Sequence, residues 1–372
     1  MSKKKWIVRT AVVAVLSSMM MVNAAGSVEA AKKISFSDVP KGHWAESSIL
    51  KTSALGIAQG VGNGTFKPNA TISRAEFAKM VLTAAEKKVP ERAKGEKWYI
   101  PYVKAAKAEG IYKNSDFSVW TDPITRQEMS NMIVRALDPK LKNASNKQLM
   151  YEATKRGIIT GLTNGELGPD EKSTRAQAAV IIDRLLTAKS GGKLTVDKRA
   201  ASYAEVAFRG TNLETMWGGK MNPLPQTHDL SYAVRGTFEQ ILIIDMDDPK
   251  GPYWEWAKDA VKINGKPYKG DYLVAYKVTM ETIKEAPKTR IYFDYVASNP
   301  YFVRAVILKE GSPLAKRDYL ELKQGNKVTV WHLATISKKE LNEFKKKNSP
   351  FWYFDWTISR NFKLAPEGRI FG

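Results

Sequence analysis

One phrase occurs three times in the first half of this chain: Ile72-Ser73-Arg74-Ala75-Glu76, Ile124-Thr125-Arg126-Gln127-Glu128 and Ser173-Thr174-Arg175-Ala176-Gln177. The arginines lie 52 and 49 residues apart. A period of that length indicates repeated units, each burying its apolar face only against neighbours. Each phrase also has the form of a capping box, in which a Ser or Thr and the Glu or Gln three residues on satisfy each other's free backbone donors. The pairs are Ser73 with Glu76, Thr125 with Glu128, and Thr174 with Gln177. Every unit therefore starts a helix at the same place, with an arginine in its first turn. The N-terminal end of a helix dipole favours anions, so a cation there costs some stability. It makes sense if the site holds an anion; a salt bridge across the helices is the structural alternative.

The frame around each phrase is helix, loop, helix. The first unit opens at Phe36-Ser37-Asp38-Val39 and His43-Trp44-Ala45. Ile49, Leu50, Ala54 and Leu55 then recur at helical spacing, and Gly56 ends the helix. A Gly- and Asn-rich loop from Gly60 to Asn69 leads to Ser73, after which Phe77, Met80, Val81 and Ala84 continue the second helix. In the second unit Trp98 precedes Gly110 by 12 residues, as Trp44 precedes Gly56. Its loop ends at Trp120-Thr121-Asp122-Pro123. The third unit has Ser145 in place of the tryptophan and lacks the Phe-Ser-Asp-Val opening, but keeps Gly157, the loop from Thr163 to Pro169, and Arg175. Trp44 and Trp98 stand at the start of apolar helix faces and are read as packing anchors rather than sugar platforms. His43 is read as structural.

These residues resemble the S-layer homology family, whose units combine a Phe-x-Asp-Val opening, a nearby Trp, a central glycine, a Gly-Thr-Phe-x-Pro loop end and an Ile-Thr-Arg-Ala-Glu phrase. The resemblance covers residues 34–188 as units 34–88, 94–138 and 142–188. It implies an α-helical pseudo-trimer, a three-pronged spindle around a central three-helix bundle. It also implies non-covalent binding of a secondary cell wall polysaccharide, often pyruvylated, in grooves between the prongs. The family's arginine falls on Arg74, Arg126 and Arg175. A ketal pyruvate carries a carboxylate, which suits a helix N-terminus and a two-pronged guanidinium.

The N-terminus reads as an export signal. Lys3, Lys4, Lys5 and Arg9 precede an apolar run from Ala11 to Val22, and small residues up to Ala30 offer cleavage sites. That run is far short of the ~20 residues that span a bilayer, and no later stretch resembles a transmembrane segment. Cysteine is absent, so an exported chain must rest on its hydrophobic core without disulfides. The net charge is +21. On an exported protein this disfavours nucleic acid as a partner and fits anionic wall polymers, although solubility alone accounts for a general lysine surplus equally well.

Beyond a linker at 189–193 the pattern changes. Aromatic and β-branched runs recur over Tyr203–Phe208, Phe238–Asp245, Ala260–Ile263, Tyr272–Thr282, Arg290–Val296, Phe302–Lys309, Lys327–Thr335 and Trp352–Ile358, with a turn at Asn264-Gly265 and a helix from Ser337 to Lys347. This predicts a β-rich, sandwich-like domain over 194–372, making the chain multidomain. Asp245, Asp247 and Asp248 are weak candidates for calcium, the only cofactor suggested. Trp254, Trp256, Trp352, Phe354 and Trp356 are read as alternating along strands, facing a core. His228, Asp229 and Ser231 lack the surroundings of a catalytic triad. No catalytic residue is assigned.

The resulting expectation is a surface protein held on the cell wall through residues 34–188 and displaying a structural or adhesive domain. Self-assembly stays open. The alternative is a wall-anchored polysaccharide hydrolase using carboxylates such as Glu239, Asp245, Glu255 and Asp294.

Overall fold

The computed structural model describes residues 34–285, 290–292, 297–298, 306–315, 319–347, 353–356, 360–365, 369 and 371. The export signal read at 1–30 lies outside them. Among the described residues no helix is long and apolar enough to cross a membrane.

The first half is helical. Its elements are α1 (Glu46–Ala54), α2 (Arg74–Ala84), α3 (Ile100–Ala108), α4 (Arg126–Leu137), α5 (Asn146–Lys155) and α6 (Arg175–Lys189). α2, α4 and α6 begin at the three repeated phrases, and each carries a complete capping box on Ser73, Thr125 or Thr174. These three helices touch one another, and each is flanked by a helix from the following unit: α3 on α2, α5 on α4, and α1 on α6. Phe77, Val81, Ile133, Val134, Ala178 and Ile182 fill one shared core.

The units close into a ring. Ile72 N–H donates to Ser173 O at 3.1 Å, Ser173 N–H to Ile124 O at 2.9 Å, and Ile124 N–H to Ile72 O at 3.0 Å. The third unit therefore docks on the first, and no end is left open.

The second half begins with α7 (Lys198–Arg209) and α8 (Leu213–Trp217), followed by β1 (Gln226–Asp229), β2 (Val234–Asp245), α9 (Trp254–Ala257), β3 (Asp271–Thr282), β4 (Arg290–Tyr292), β5 (Ala297–Ser298), β6 (Tyr319–Glu321), β7 (Lys327–Ser337), α10 (Lys338–Lys347), β8 (Tyr353–Trp356) and β9 (Arg360–Lys363). The main sheet is antiparallel in the order β1-β2-β3-β7, with small sheets β4-β6 and β5-β8-β9. A bulge between Phe238 and Gln240 inverts the side-chain parity of β2. Phe238 therefore shares a face with Ile241 and Ile243, while Leu242 and Ile244 point to the other face. Both faces are buried, which explains the unbroken apolar run Ile241–Ile244.

Several sequence expectations need correction here. Tyr203–Phe208 is not a strand but the end of α7, which Asp197 caps and Gly210 ends in the left-handed region. Ala260–Ile263 forms only isolated bridges through Val261. Trp254 and Trp256 lie in the short helix α9 rather than on a strand. Helices contribute cover that a plain sandwich would draw from a second sheet: Leu213 and Trp217 of α8 and Leu341 of α10 pack on the Phe238 face. Trp352 and Asp294 lie outside the described residues.

Candidate functional site

Each repeated phrase docks against the loop of the next unit. Arg74 N–H donates to Asp122 O at 3.0 Å and Ala75 N–H to Trp120 O at 3.0 Å. Arg126 and Gln127 do the same to Glu171 O (3.0 Å) and Pro169 O (2.9 Å), and Arg175 and Ala176 to Ala70 O (2.9 Å) and Pro68 O (3.0 Å). The cap oxygen takes the next N–H in each helix. All the free donors of these helix ends are therefore used inside the protein. This corrects the expectation that they would receive a carboxylate; only the arginine side chains could.

The three arginines occupy equivalent places with different partners. Arg74 meets Glu128 through two parallel bonds, Nε–Oε2 at 2.9 Å and Nη2–Oε1 at 2.7 Å, and its Nη1 donates to Val119 O at 2.9 Å. It also stacks 4.6 Å over Phe117. The hydrogen-bonded Glu128 raises its pKa further. Arg175 donates to Phe66 O and Gln59 O, reaches Glu76 Oε1 at 3.3 Å and stacks 4.8 Å over Phe66. Arg126 donates Nε to Leu167 O at 2.8 Å and Nη2 to Thr160 O at 2.6 Å. Among the described residues it forms no ion pair.

The cause is one residue. Glu128 and Glu76 each serve the cap and the neighbouring arginine together. The third unit has Gln177, whose Oε1 accepts from Thr174 N–H at 2.9 Å and completes the cap. Its remaining polar atom is a donor and cannot pair with Arg126.

Arg126 lines a pocket of about 130 Å³ with Trp44, Thr160, Gly161, Gln177 and Arg184. No carboxylate lines it. Arg184 donates to Ile158 O at 3.1 Å and also lacks an ion pair among the described residues. The equivalent Arg135 is neutralised by Asp116 through two bonds of 2.6 and 3.1 Å. Burial lowers the pKa of both Arg126 and Arg184; Glu171 opposes this at Arg126, and Arg184 reinforces it. Trp44 at the rim is 64% exposed. The reading of Trp44 and Trp98 as packing anchors is corrected, since Trp98 is 43% exposed as well. A second pocket, of about 140 Å³, lies at Arg175 with Gln59, Glu76 and Lys79. There Glu76 already offsets the arginine. Arg175 and Arg126 thus line two separate inter-unit pockets, and of these two that of Arg126 joins cations without an ion pair among the described residues to an exposed aromatic ring. The substitution of Gln for Glu at 177 and the basic Arg184 were the sequence signals for it.

Among the described residues the second half offers no comparable constellation. Asp245 and Asp247 converge on Lys338 Nζ at 2.5 and 2.8 Å, so an ammonium sits between these weak calcium candidates. Asp248 instead accepts from Lys250 N–H. Among the described residues no cluster of acids and histidines could hold a metal ion. Asp229 pairs with Arg235, and Ser231 Oγ accepts two backbone N–H groups of its own turn. Glu239 is bonded to Thr279 and Lys277, and Glu255 to Lys258.

The family model for the S-layer homology domain matches residues 35–78 and 150–179, in the first and third units. A cell surface protein of Thermoanaerobacter kivui is 22% identical over 91% of this chain and 43% of its own length. The S-layer protein EA1 of Bacillus anthracis is 28% identical over 54% of this chain and 26% of its own. An exoglucanase of Acetivibrio thermocellus is 30% identical over 42% of this chain and 16% of its own. The chain spans less than half the length of these curated relatives.

Proposed function

We propose that this chain, which carries the S-layer homology domain at residues 35–78 and 150–179, is a cell-surface protein held on the bacterial wall by an anionic secondary polysaccharide. Its three units act as one pseudo-trimer, and the groove of Arg126 is the principal polymer site. The observation that carries this reading is Arg126, without an ion pair among the described residues, beside Arg184 and Trp44 in a pocket lined by no carboxylate. A pyruvate ketal presents a carboxylate for Arg126 and an adjoining sugar face for Trp44. Burying a guanidinium without a counter-ion is unfavourable, and a bound carboxylate would offset that cost. The relatives named as S-layer and cell surface proteins point to the same location. Residues beyond α7 are the displayed part, with a structural or adhesive role and no catalytic centre assigned.

The test uses the full chain and purified walls, before and after removal of the secondary polysaccharide. Binding should require the polysaccharide, and Arg126→Ala should weaken it far more than loss of a surface lysine such as Lys41. Equal binding to stripped and unstripped walls would sink the reading.

A further inference from the structure

The groove of Arg126 is buttressed from outside the three units. Asp197 caps α7: its Oδ1 accepts from Arg199 N–H at 3.0 Å and Ala200 N–H at 3.1 Å. Its other oxygen, Oδ2, accepts from Gly161 N–H at 2.9 Å. Gly161 lines the pocket, and its neighbour Thr160 provides the carbonyl that holds Arg126 Nη2. One carboxylate therefore ties the start of α7 to the loop that aims the guanidinium.

The surroundings leave this loop little freedom. A Cβ on Gly161 would stand 2.4 Å from Gly165 Cα, and one on Gly165 would stand 2.6 Å from the Arg199 side chain. A Cβ on Gly157 would meet Thr195 O at 2.8 Å. The strand of chain from 194 to 199 thus lies directly against the loop. α7 itself packs along α5, with Ala200 and Ala201 buried and Ala204 part of the helical core.

We infer that Asp197 is a positioning residue for the wall-polymer site, and that the binding unit runs on through α7 to Arg209 rather than ending with the third repeat. This rests on the reading of the Arg126 groove given above. Asp197 does not touch the ligand; it fixes Gly161, hence the Thr160 carbonyl, hence the plane of the Arg126 fork.

The two roles of Asp197 can be separated. Ser is a good cap, so Asp197→Ser retains α7 but is too short to reach Gly161. The probe is a methyl hexoside carrying a cyclic pyruvate ketal, titrated into the full chain alongside Arg126→Ala, with amide exchange followed at Gly161. One lost hydrogen bond at the loop predicts up to about tenfold weaker binding for Asp197→Ser, with faster exchange at Gly161 and an unchanged α7. If Asp197→Ser binds like the parent while Arg126→Ala does not bind, the inference is overturned and the groove reading stands. If the parent ignores the probe, or Arg126→Ala binds it equally well, the groove reading falls and the inference falls with it. Should Asp197→Ser fail to fold, exchange in the unmodified chain decides: Gly161 must be as protected as the amides of α7 and slow further with the probe, and exchange at the rate of an open loop overturns the inference.

Discussion

Arg74 and Glu128, 54 residues apart, form a two-pronged ion pair at 2.9 and 2.7 Å in which the same carboxylate also closes the cap of α4. A glutamate that belongs to one helix end thereby neutralises the arginine of another. The third unit breaks this economy at Gln177, and the first prediction concerns that position.

Gln177→Glu should keep the cap, because Glu76 and Glu128 fill the same role in their own units. It should also supply Arg126 with an internal carboxylate. Binding to wall polysaccharide should drop by about tenfold or more, as expected when a charged hydrogen bond to the ligand is replaced from within, while thermal stability stays level or rises. Unchanged affinity would show that Arg126 is not what holds the polymer.

The reverse change isolates the ion pair from the cap. Glu128→Gln keeps a capping side chain but leaves Arg74, whose side chain is 15% exposed, with only the longer and more exposed pair to Asp122 at 3.5 Å. Urea unfolding should show a loss of roughly 2 kcal/mol, between a neutral hydrogen bond and a fully buried pair. Glu76→Gln should cost less than about 1 kcal/mol, because that pair is single, longer and more exposed. It should also leave the Arg175 groove more receptive to anions, readable as a second, weaker binding event.

Trp44→Ala should separate binding from stability. The ring is mostly exposed, so unfolding should change by no more than about 0.5 kcal/mol, the usual range for surface substitutions. Loss of an aromatic contact with the sugar face should weaken polysaccharide binding by roughly two- to tenfold, equivalent to about 0.5–1.5 kcal/mol. A matching loss in both measurements would return Trp44 to a packing role.

Asp38 gives a pH signature. It accepts from Phe66 N–H at 2.8 Å and Lys67 N–H at 2.7 Å, and the Phe66 bond is the main cause of its lowered pKa. For an acid whose folded pKa is lowered, the contribution to stability is present above the unfolded value and lost as pH falls through the folded one. The stability gap between the parent and Asp38→Asn should therefore be widest near neutrality and narrow below about pH 4, the ordinary aspartate range. A gap that is constant from neutral to acid would rule out the charge as its source.

The repeated phrase, its caps and the helix-loop-helix frame were legible because each depends on spacing within a few residues. The partners of the arginines were not, because Glu128 and Glu76 meet them only after the ring has closed. Trp44 was misjudged for a related reason: its place at the start of α1 suggested a buried face, but the helix packs on α6 through Ile49 and its neighbours and leaves the ring at the rim. In the second half, Tyr203–Phe208 alternates well enough to pass for a strand. Asp197, too far upstream to be weighed with it, is what starts the helix. The bulge at Phe238–Gln240 was hidden because an inserted residue shifts parity without leaving a mark in composition.

The cycle linking Ile72, Ser173 and Ile124 has a consequence for how such a chain can be cut or duplicated. A linear stack of repeats can lose or gain a unit at either end and keep its remaining contacts. Here each unit offers one docking loop and takes one, so a fragment of two units would keep an unanswered loop at one end and an unanswered helix start at the other. Two such fragments could satisfy one another across a molecular boundary. The closed triplet thus answers each of its own docking positions within one chain, which a two-unit fragment could not do.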